Sequence, residues 1–282
     1  MKHADFFELK RHGSPDFPIQ YYYVDSSNPQ YIMVAHWHKE FEIIRVLEGE
    51  FRVFLNNVEY RLGAGDVLFV ECGCLHRGEP DDSVYECVVF DLNMLCRNQN
   101  DAAARLISPL INSSVGISGI LAKSDGEIYK TVNSLFATLC EKKQYYELET
   151  YSLLFKLFSQ LYSKNTFISG ATPSHSGKID TIIQLLGWIE KNLTEAITLD
   201  MLSAFSGLNK KYLCRVFKEY TSKTVVNYIN ELRIENACYE ISVKGKTITR
   251  AAFDSGFNDL SYFCKVFKKH KGITPREYKK QF

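Results

Sequence analysis

The chain has 282 residues, 45% of them hydrophobic and 24% charged, and a formal net charge of +1. That length allows one large domain or two ordinary ones, each able to bury a core. No apolar run is long enough to span a bilayer, and no basic start followed by an apolar signal-peptide core is present, so a membrane protein is excluded and a cytoplasmic one expected. The eight cysteines, at 72, 74, 87, 96, 140, 214, 238 and 264, follow no framework spacing, which predicts reduced thiols. The near-zero net charge conceals an asymmetry. Residues 178–282 carry 18 Lys and Arg against 11 Asp and Glu, a net +7, whereas residues 1–177 carry 16 against 22, a net −6. A basic, DNA-facing module attached to an acidic one fits this split.

Residues 1 to about 20 mix charge with Pro15 and Pro18 and show no periodicity, which predicts an extended arm. Short segments rich in Val, Ile, Phe and Tyr follow at 32–35, 41–47, 51–55, 67–70 and 85–90. Asn56-Asn57 and Gly63-Ala64-Gly65-Asp66 supply turn chemistry between them. Many short strands at even spacing predict a small β-sandwich or barrel ending near residue 94.

From about 101 the pattern becomes helical. Asp125 is placed to cap a helix carrying Ile128, Val132, Leu135, Phe136 and Leu139 on one face. After a break at 142–144, a second helix carries Leu148, Tyr151, Leu154, Phe155, Phe158 and Leu161 and finishes near 164. The two form a hairpin that can pack on the barrel and on a second copy of the chain. Residues 165–177, rich in Ser, Thr, Gly and Pro, predict a flexible linker and the domain boundary. The expected division is therefore 1–164, a 165–177 linker, and 178–282.

Two spacings in the β-region carry chemistry. His36, His38, Glu42 and Gly49 read H-x-H-x(3)-E-x(6)-G, and Gly65, Gly73 and His76 read G-x(7)-G-x(2)-H. Residues two apart on a strand share a face, so His36 and His38 point one way and Trp37 the other. Three imidazoles and a carboxylate suit Zn, Mn, Fe or Ni. The spacings resemble the two motifs of the cupin superfamily, whose small β-barrels often hold a metal on these four positions. The pattern departs at Gln30, Glu71 and Pro80, which stand where the cupin motifs have Gly, Pro and Asn. The set His36, His38, Glu42 and His76 is therefore open to two readings, a divalent-metal site or a set that hydrogen-bonds within the barrel or contacts an organic ligand. Tyr21-Tyr22-Tyr23, Phe41, Phe51 and Phe69 could supply stacking faces for such a ligand or serve as core.

Residues 198–278 contain one unit written twice. The first copy runs Ser206-Gly207-Leu208-Asn209 into Lys210–Lys218, and the second runs Ser255-Gly256-Phe257-Asn258-Asp259 into Leu260–Lys268. The turns align at an offset of 49 and the helices at 50, so the second copy has one extra residue. Each copy has the grammar of a helix-turn-helix: a periodic helix, a Gly able to take positive φ, an Asn able to cap, and a second amphipathic helix. Tyr212, Leu213, Val216, Phe217 and Tyr220 fall on one stripe, with Lys210, Lys211, Cys214, Arg215 and Lys218 opposite. In the second copy Tyr262, Phe263, Val266 and Phe267 are expected inside, leaving Ser261, Cys264, Lys265, Lys268 and Lys269 outside. A helix buried on one side and basic on the other fits the major groove of double-stranded DNA.

Residues 178–282 resemble the DNA-binding domain of the AraC/XylS family of bacterial transcription regulators. The resemblance rests on Ile197-Thr198-Leu199, the two turns, Tyr228, Arg233, Ile234 and Ala237. It continues through Ile248, Ala252, Gly256-Phe257, Ser261-Tyr262-Phe263, Phe267-Lys268-Lys269, Gly272, Thr274-Pro275 and Tyr278. It implies that the second helix of each unit enters the major groove. Lys211, Cys214 and Arg215 would then face bases in one unit, and Ser261, Cys264 and Lys265 in the other, with Asn209, Lys210, Lys218, Asn258, Asp259 and Lys268 beside them. The expected architecture is α+β in two domains: a cupin-like β-barrel plus helical hairpin, then an all-α domain with two helix-turn-helix units. The implied function is a regulator, an activator, controlled by a sugar-like small-molecule effector, with RNA polymerase and a second copy of the chain as partners. The alternative from another class is a metal-dependent cupin enzyme, such as a dioxygenase or sugar isomerase, with a fused helical tail. It rests on His36, His38, Glu42 and His76 alone.

Overall fold

The computed structural model describes residues 6–8, 10–28, 31–56, 58–96, 102–112, 115–117, 120–121, 126–164, 166–169, 177–221 and 223–282. Asn57, Asp125 and most of the 165–177 linker lie outside these residues. The chain divides into two compact units, the first running from Phe6 to Ile183 and the second from Gln184 to Phe282. Among the described residues no helix is long and apolar enough to cross a membrane.

The first unit is built on an antiparallel sheet of β1 (Ile19–Val24), β2 (Met33–His36), β3 (Phe41–Leu55), β4 (Val58–Gly63), β5 (Val67–Val70), β6 (His76–Phe90) and β8 (Ile120–Leu121). The long strands β3 and β6 pair along their whole length, from Phe41 opposite Phe90 to Leu55 opposite His76. The first half of β3 pairs with β5 on its other side and the second half with β4, while β1 and β2 pair with opposite ends of β6. The expected pair of strands at 41–47 and 51–55 is therefore one strand. The register slips between Val46 and Glu50, and Gly49 takes a φ of +72° there, so the strand bends without ending. Strand β6 likewise starts nine residues before the expected Tyr85, through a polar half that alternates too weakly to read as a strand. Strand β1 occupies the end of the expected arm and the three tyrosines after it.

The interior packs Ile44, Val46, Phe51, Val53, Leu62, Leu68, Val70, Tyr85 and Cys87. Phe51 stacks on Tyr85 with ring centroids 4.3 Å apart, and Phe41 lies among Phe69, Phe90 and Phe158. These aromatics serve the core. A 3-10 turn at Leu92–Leu95 leads to α1 (Ala102–Ile111), and β7 (Val115–Ile117) pairs with β9 (Phe167–Ser169), which falls inside the expected linker.

The hairpin is α2 (Gly126–Glu141) and α3 (Tyr146–Ser163). Helix α2 buries Ile128, Val132, Leu135, Phe136 and Leu139 as the periodicity predicts. The buried stripe of α3 is rotated from the expected one. Thr150, Leu154, Leu157, Phe158 and Leu161 are inside, while Leu148 and Phe155, which sit at the edge of that stripe, are exposed. The guanidinium of Arg45 on β3 ties α2 to the sheet: it pairs with Glu86, reaches Asn133 and lies 4.4 Å over the Phe136 ring.

The division between the units falls within α4 (Gly177–Lys191). The second unit continues with α5 (Leu199–Ser206), α6 (Lys210–Thr221), α7 (Val225–Ser242), α8 (Ile248–Asp254), α9 (Leu260–Lys271) and α10 (Pro275–Lys279). Helix α7 is buried over much of its circumference, from Tyr228 and Ile229 to Ala237 and Ile241, because α6 packs on it as well as α8 and α9. The architecture is the expected one: a sheet-rich cupin-like domain with a helical hairpin, followed by an all-α region holding two helix-turn-helix units.

Candidate ligand site and DNA-facing helices

The two helix-turn-helix units share one construction. Gly207 and Gly256 take φ of +67° and +90° in their turns, the left-handed region that a side chain disfavours. Asn209 Oδ1 accepts a hydrogen bond of 2.9 Å from the Tyr212 amide and so caps α6. In the second copy the cap is Asp259, whose Oδ1 accepts from the Tyr262 amide at 2.6 Å. Asn258, expected to cap, is displaced from that position by the extra residue.

Helix α6 buries Leu213, Val216, Phe217 and Tyr220, and α9 buries Phe263, Val266 and Phe267. Tyr262, expected inside, is 46% exposed. It lies at the margin of the stripe, and its hydroxyl accepts from Asn230 Nδ2 at 2.8 Å, a contact the buried stripe does not offer. Lys210, Lys211, Arg215, Lys218, Ser261, Lys265 and Lys268 are exposed, and Cys214 and Cys264 are half-buried.

Several cations of the unit are in ion pairs. Lys223 pairs with Glu231, Lys246 with Glu240 and Asp254, Arg250 with Asp254, and Lys271 with Glu235. On α6 and α9 only Lys210, at the very start, has an acidic partner outside its own helix among the described residues short of Lys271, namely Asp200. Lys211, Arg215, Lys218, Lys265 and Lys268 form no ion pair among the described residues. Arg215 instead lies 5.0 Å over the Tyr212 ring. Unneutralised, outward-facing cations on two equivalent helices suit a polyanion.

The second constellation lies in the sheet-rich unit. The chain crosses from β2 to β3 through His36, Trp37 and His38, and β6 starts at His76 opposite His36. Trp37 is fully buried, with its ring 4.7 Å from that of Phe7. On the other side the nitrogens of His36, His38 and His76 converge, with one ligand atom from each lying within 4.8 Å of the others. Glu42 Oε2 is 3.4 Å from His38 Nε2 and 3.2 Å from His76 Nε2. Of the four residues singled out by spacing, the three histidines thus converge and Glu42 lies against two of them.

Hydrogen bonding fixes which nitrogen each ring presents. His36 Nδ1 is 2.8 Å from the Val34 carbonyl, His38 Nδ1 3.1 Å from that of Glu40, and His76 Nδ1 2.9 Å from that of Cys74. A carbonyl can only accept, so each Nδ1 carries a proton and donates it, and each ring turns its Nε2 towards the others, that of His38 in a hydrogen bond with Glu42. His76 Nε2 is fully enclosed and lies off the line of any hydrogen bond. Burial opposes the charged form of Glu42, but His38 and His76 outweigh it and hold the carboxyl well below the usual carboxylate range. Burial lowers His38 too, and there the carboxylates of Glu42, Glu40 and Glu8 prevail and raise it. His36 is pushed down to about 4 by burial and by the charges of His76 and His38. Three imidazole nitrogens and a carboxylate, oriented from behind by backbone carbonyls, are the donor set and outer shell of a first-row divalent metal site. The residues fit such an ion, which would supply a fixed positive charge where the lone pairs meet.

Three further residues belong to this site and carry no motif signal. Glu8 Oε2 is 3.6 Å from His36 Nε2 and 3.3 Å from His12 Nε2, and His12 Nδ1 is 2.9 Å from the Tyr22 hydroxyl. Cys87, opposite Ile44 on β6, has its thiol pushed well up by burial and by Glu42, to which it donates.

Comparison with known proteins agrees with both halves. Residues 18–158 match the family model of the AraC-like ligand binding domain, and residues 202–281 match that of a helix-turn-helix domain. The HTH-type transcriptional regulator YdeC of Bacillus subtilis is 25% identical over 283 residues, covering 97% of this chain and 95% of its own. The HTH-type transcriptional activator RhaS of Mannheimia succiniciproducens is 29% identical, covering 88% of this chain and 90% of its own. Among solved structures, ToxT from Vibrio cholerae aligns over 93% of this chain and 97% of its own at 14% identity, with a TM-score of 0.43. The chain belongs to the AraC/XylS family of DNA-binding transcription regulators that carry an AraC-like ligand-binding domain.

Proposed function

We propose that this regulator reads DNA through the outer faces of α6 and α9, with Lys211, Cys214 and Arg215 against base edges in one unit and Ser261, Cys264 and Lys265 in the other. Lys210, Lys218 and Lys268 hold phosphates, while Asn209, Asn258 and Asp259 border the contact. The observation that carries this reading is the set of exposed cations on these two helices, Lys211, Arg215, Lys218, Lys265 and Lys268, that form no ion pair among the described residues. Residues 1–164 form the effector-binding part, 165–177 the linker and 178–282 the DNA-binding part. The effector, a small molecule that the family resemblance implies is sugar-like, binds at His36, His38, Glu42 and His76. It acts as a switch through unequal affinity for two arrangements of the protein. The protein works in the cytoplasm as an activator, a homodimer on paired half-sites that engages RNA polymerase.

The DNA contacts are tested by comparing two neutral substitutions on α6. Arg215→Ala is expected to relax base preference. Lys218→Ala is expected to weaken binding evenly across sequences and to reduce the slope of log K against log salt by about 0.9, the value of one phosphate contact on duplex DNA. Equal losses on cognate and scrambled DNA for Arg215→Ala would contradict the base-reading role. A panel of sugars screened for a rise in melting temperature tests the effector, since a ligand of the folded state alone must raise it.

A further inference from the structure

The imidazole cluster has a polar neighbour that comes from the N-terminal segment and from no part of the H-x-H-x(3)-E and G-x(7)-G-x(2)-H patterns. We propose that Glu8 is an additional ligand to a first-row divalent transition metal held by His36, His38, Glu42 and His76, so that metal binding fixes residues 6–12 onto the site. This rests on the reading of that site as the effector site and adds a metal ion to it.

With each Nδ1 at a backbone carbonyl of Val34, Glu40 or Cys74, the rings turn Nε2 atoms to carboxylate oxygens: His36 to Glu8, and His38 and His76 to Glu42, that of His38 as a hydrogen bond of 3.4 Å. A nitrogen and a carboxylate oxygen at this spacing are bridged by a proton or, when several converge, by a shared cation. Two atoms bound to one metal at about 2.1 Å stand roughly 3.0 to 3.4 Å apart when adjacent in its coordination sphere. The spacings to Glu42, 3.2 and 3.4 Å, fall in that range, and the Glu8–His36 spacing of 3.6 Å exceeds it by little. The buried His76 Nε2, with no hydrogen bond of its own, points into the same space.

Glu8 is held at this position by backbone as well as by charge. Its amide donates to the Trp37 carbonyl at 2.9 Å, and the Trp37 amide donates to the Phe6 carbonyl at 2.7 Å. Trp37 lies between two of the imidazole ligands, so this short pairing registers Glu8 directly against them. His12 Nε2 lies 3.3 Å from the same Glu8 oxygen, Oε2, and its ring is held by Tyr22. Three nitrogens and two carboxylates exceed the four ligands of tetrahedral zinc and suit an ion that accepts five or six, such as Mn, Fe, Co or Ni.

The test uses the full chain, freed of metal with a chelator and titrated with Co(II) alone. Expected are one ion per chain, the weak visible absorption of five- or six-coordinate Co(II), and slower hydrogen exchange at the Glu8 and Trp37 amides on loading. Glu8→Gln, a substitution on a partly exposed side chain, should weaken Co(II) binding at least about tenfold. It should also strengthen the visible bands towards tetrahedral intensity and abolish the metal-dependent exchange protection. Glu59→Gln, on an exposed strand residue, should leave all three readings unchanged. Binding of equal affinity and identical spectrum in Glu8→Gln overturns the role of Glu8. Absence of stoichiometric Co(II) binding overturns the metal site itself, and DNA retention by the same preparation shows that this failure is separate from the DNA-reading proposal.

Discussion

Gly207 and Gly256 occupy matching places in the two turns, yet replacing each with alanine should have unequal consequences. Both sit at positive φ, +67° and +90°, where a Cβ costs about 1–2 kcal/mol in backbone strain. At Gly207 the added methyl would meet nothing within 4 Å. At Gly256 it would lie 2.4 Å from the Leu193 carbonyl oxygen, 2.8 Å from Arg233 Nε and 3.0 Å from Thr194 Cα. The first two atoms are themselves joined, because Arg233 Nε donates to Leu193 O at 2.9 Å, and Arg233 Nη2 donates to Glu195 O at 2.6 Å. Relieving the clash therefore breaks at least one hydrogen bond from a charged donor, worth about 1.5–3 kcal/mol. Gly207→Ala should lose about 1–2 kcal/mol and Gly256→Ala about 3–5, a severe loss for a unit whose total stability is on the order of 5–15 kcal/mol. Urea unfolding of the full chain, followed by hydrogen exchange at α9 amides, separates the two. The extra loss in Gly256→Ala should lower the α9 midpoint by about 1 M or more relative to Gly207→Ala. Equal losses in the two variants would show that the approach of Leu193 does not constrain this turn.

Two further outcomes are expected. Asn209→Ala and Asp259→Ala each remove a helix cap and should each cost about 0.5–2 kcal/mol by the same unfolding measurement, with no loss at either site contradicting the capping role. Asp91 is buried, which opposes its charge, but Lys39 at 2.8 Å and the Asn93 donors hold its carboxyl below the usual range. A depressed folded pKa gives stability that is present above the unfolded value of about 3.9 and is lost as pH falls below it. Melting temperature should therefore drop on acidification below about pH 4. Lys39→Met should flatten that drop while lowering stability at neutral pH, and a parallel acid profile in the variant would refute the pairing.

The helix-turn-helix repeat was legible because its signals are local: glycine at the turn, a capping side chain, and an apolar stripe within a dozen residues. What escaped was set by single positions. One inserted residue passes the cap from Asn258 to Asp259, and a margin position leaves Tyr262 exposed with Asn230 as its partner. The three histidines that converge in the sheet-rich unit, and Glu42 beside two of them, stood out by spacing. Glu8 and His12 did not, since their place there depends on a short backbone pairing between Phe6–Glu8 and Trp37 that leaves no pattern in the chain. Strands β3 and β6 were read as fragments because each bends, and their polar halves lack the apolar alternation by which strands are recognised.

The change of cap between the copies has an electrical consequence. Helix α6 begins at a neutral amide, Asn209, whereas α9 begins at a carboxylate, Asp259, already engaged with the positive end of its helix dipole. A phosphate drawn to the first helix finds that end of the dipole still uncompensated by any capping charge. One drawn to the second meets a fixed anion and must be held by the lysines farther along. The two readers are thus unlike ends of one tool, and a site with its halves exchanged is a different site.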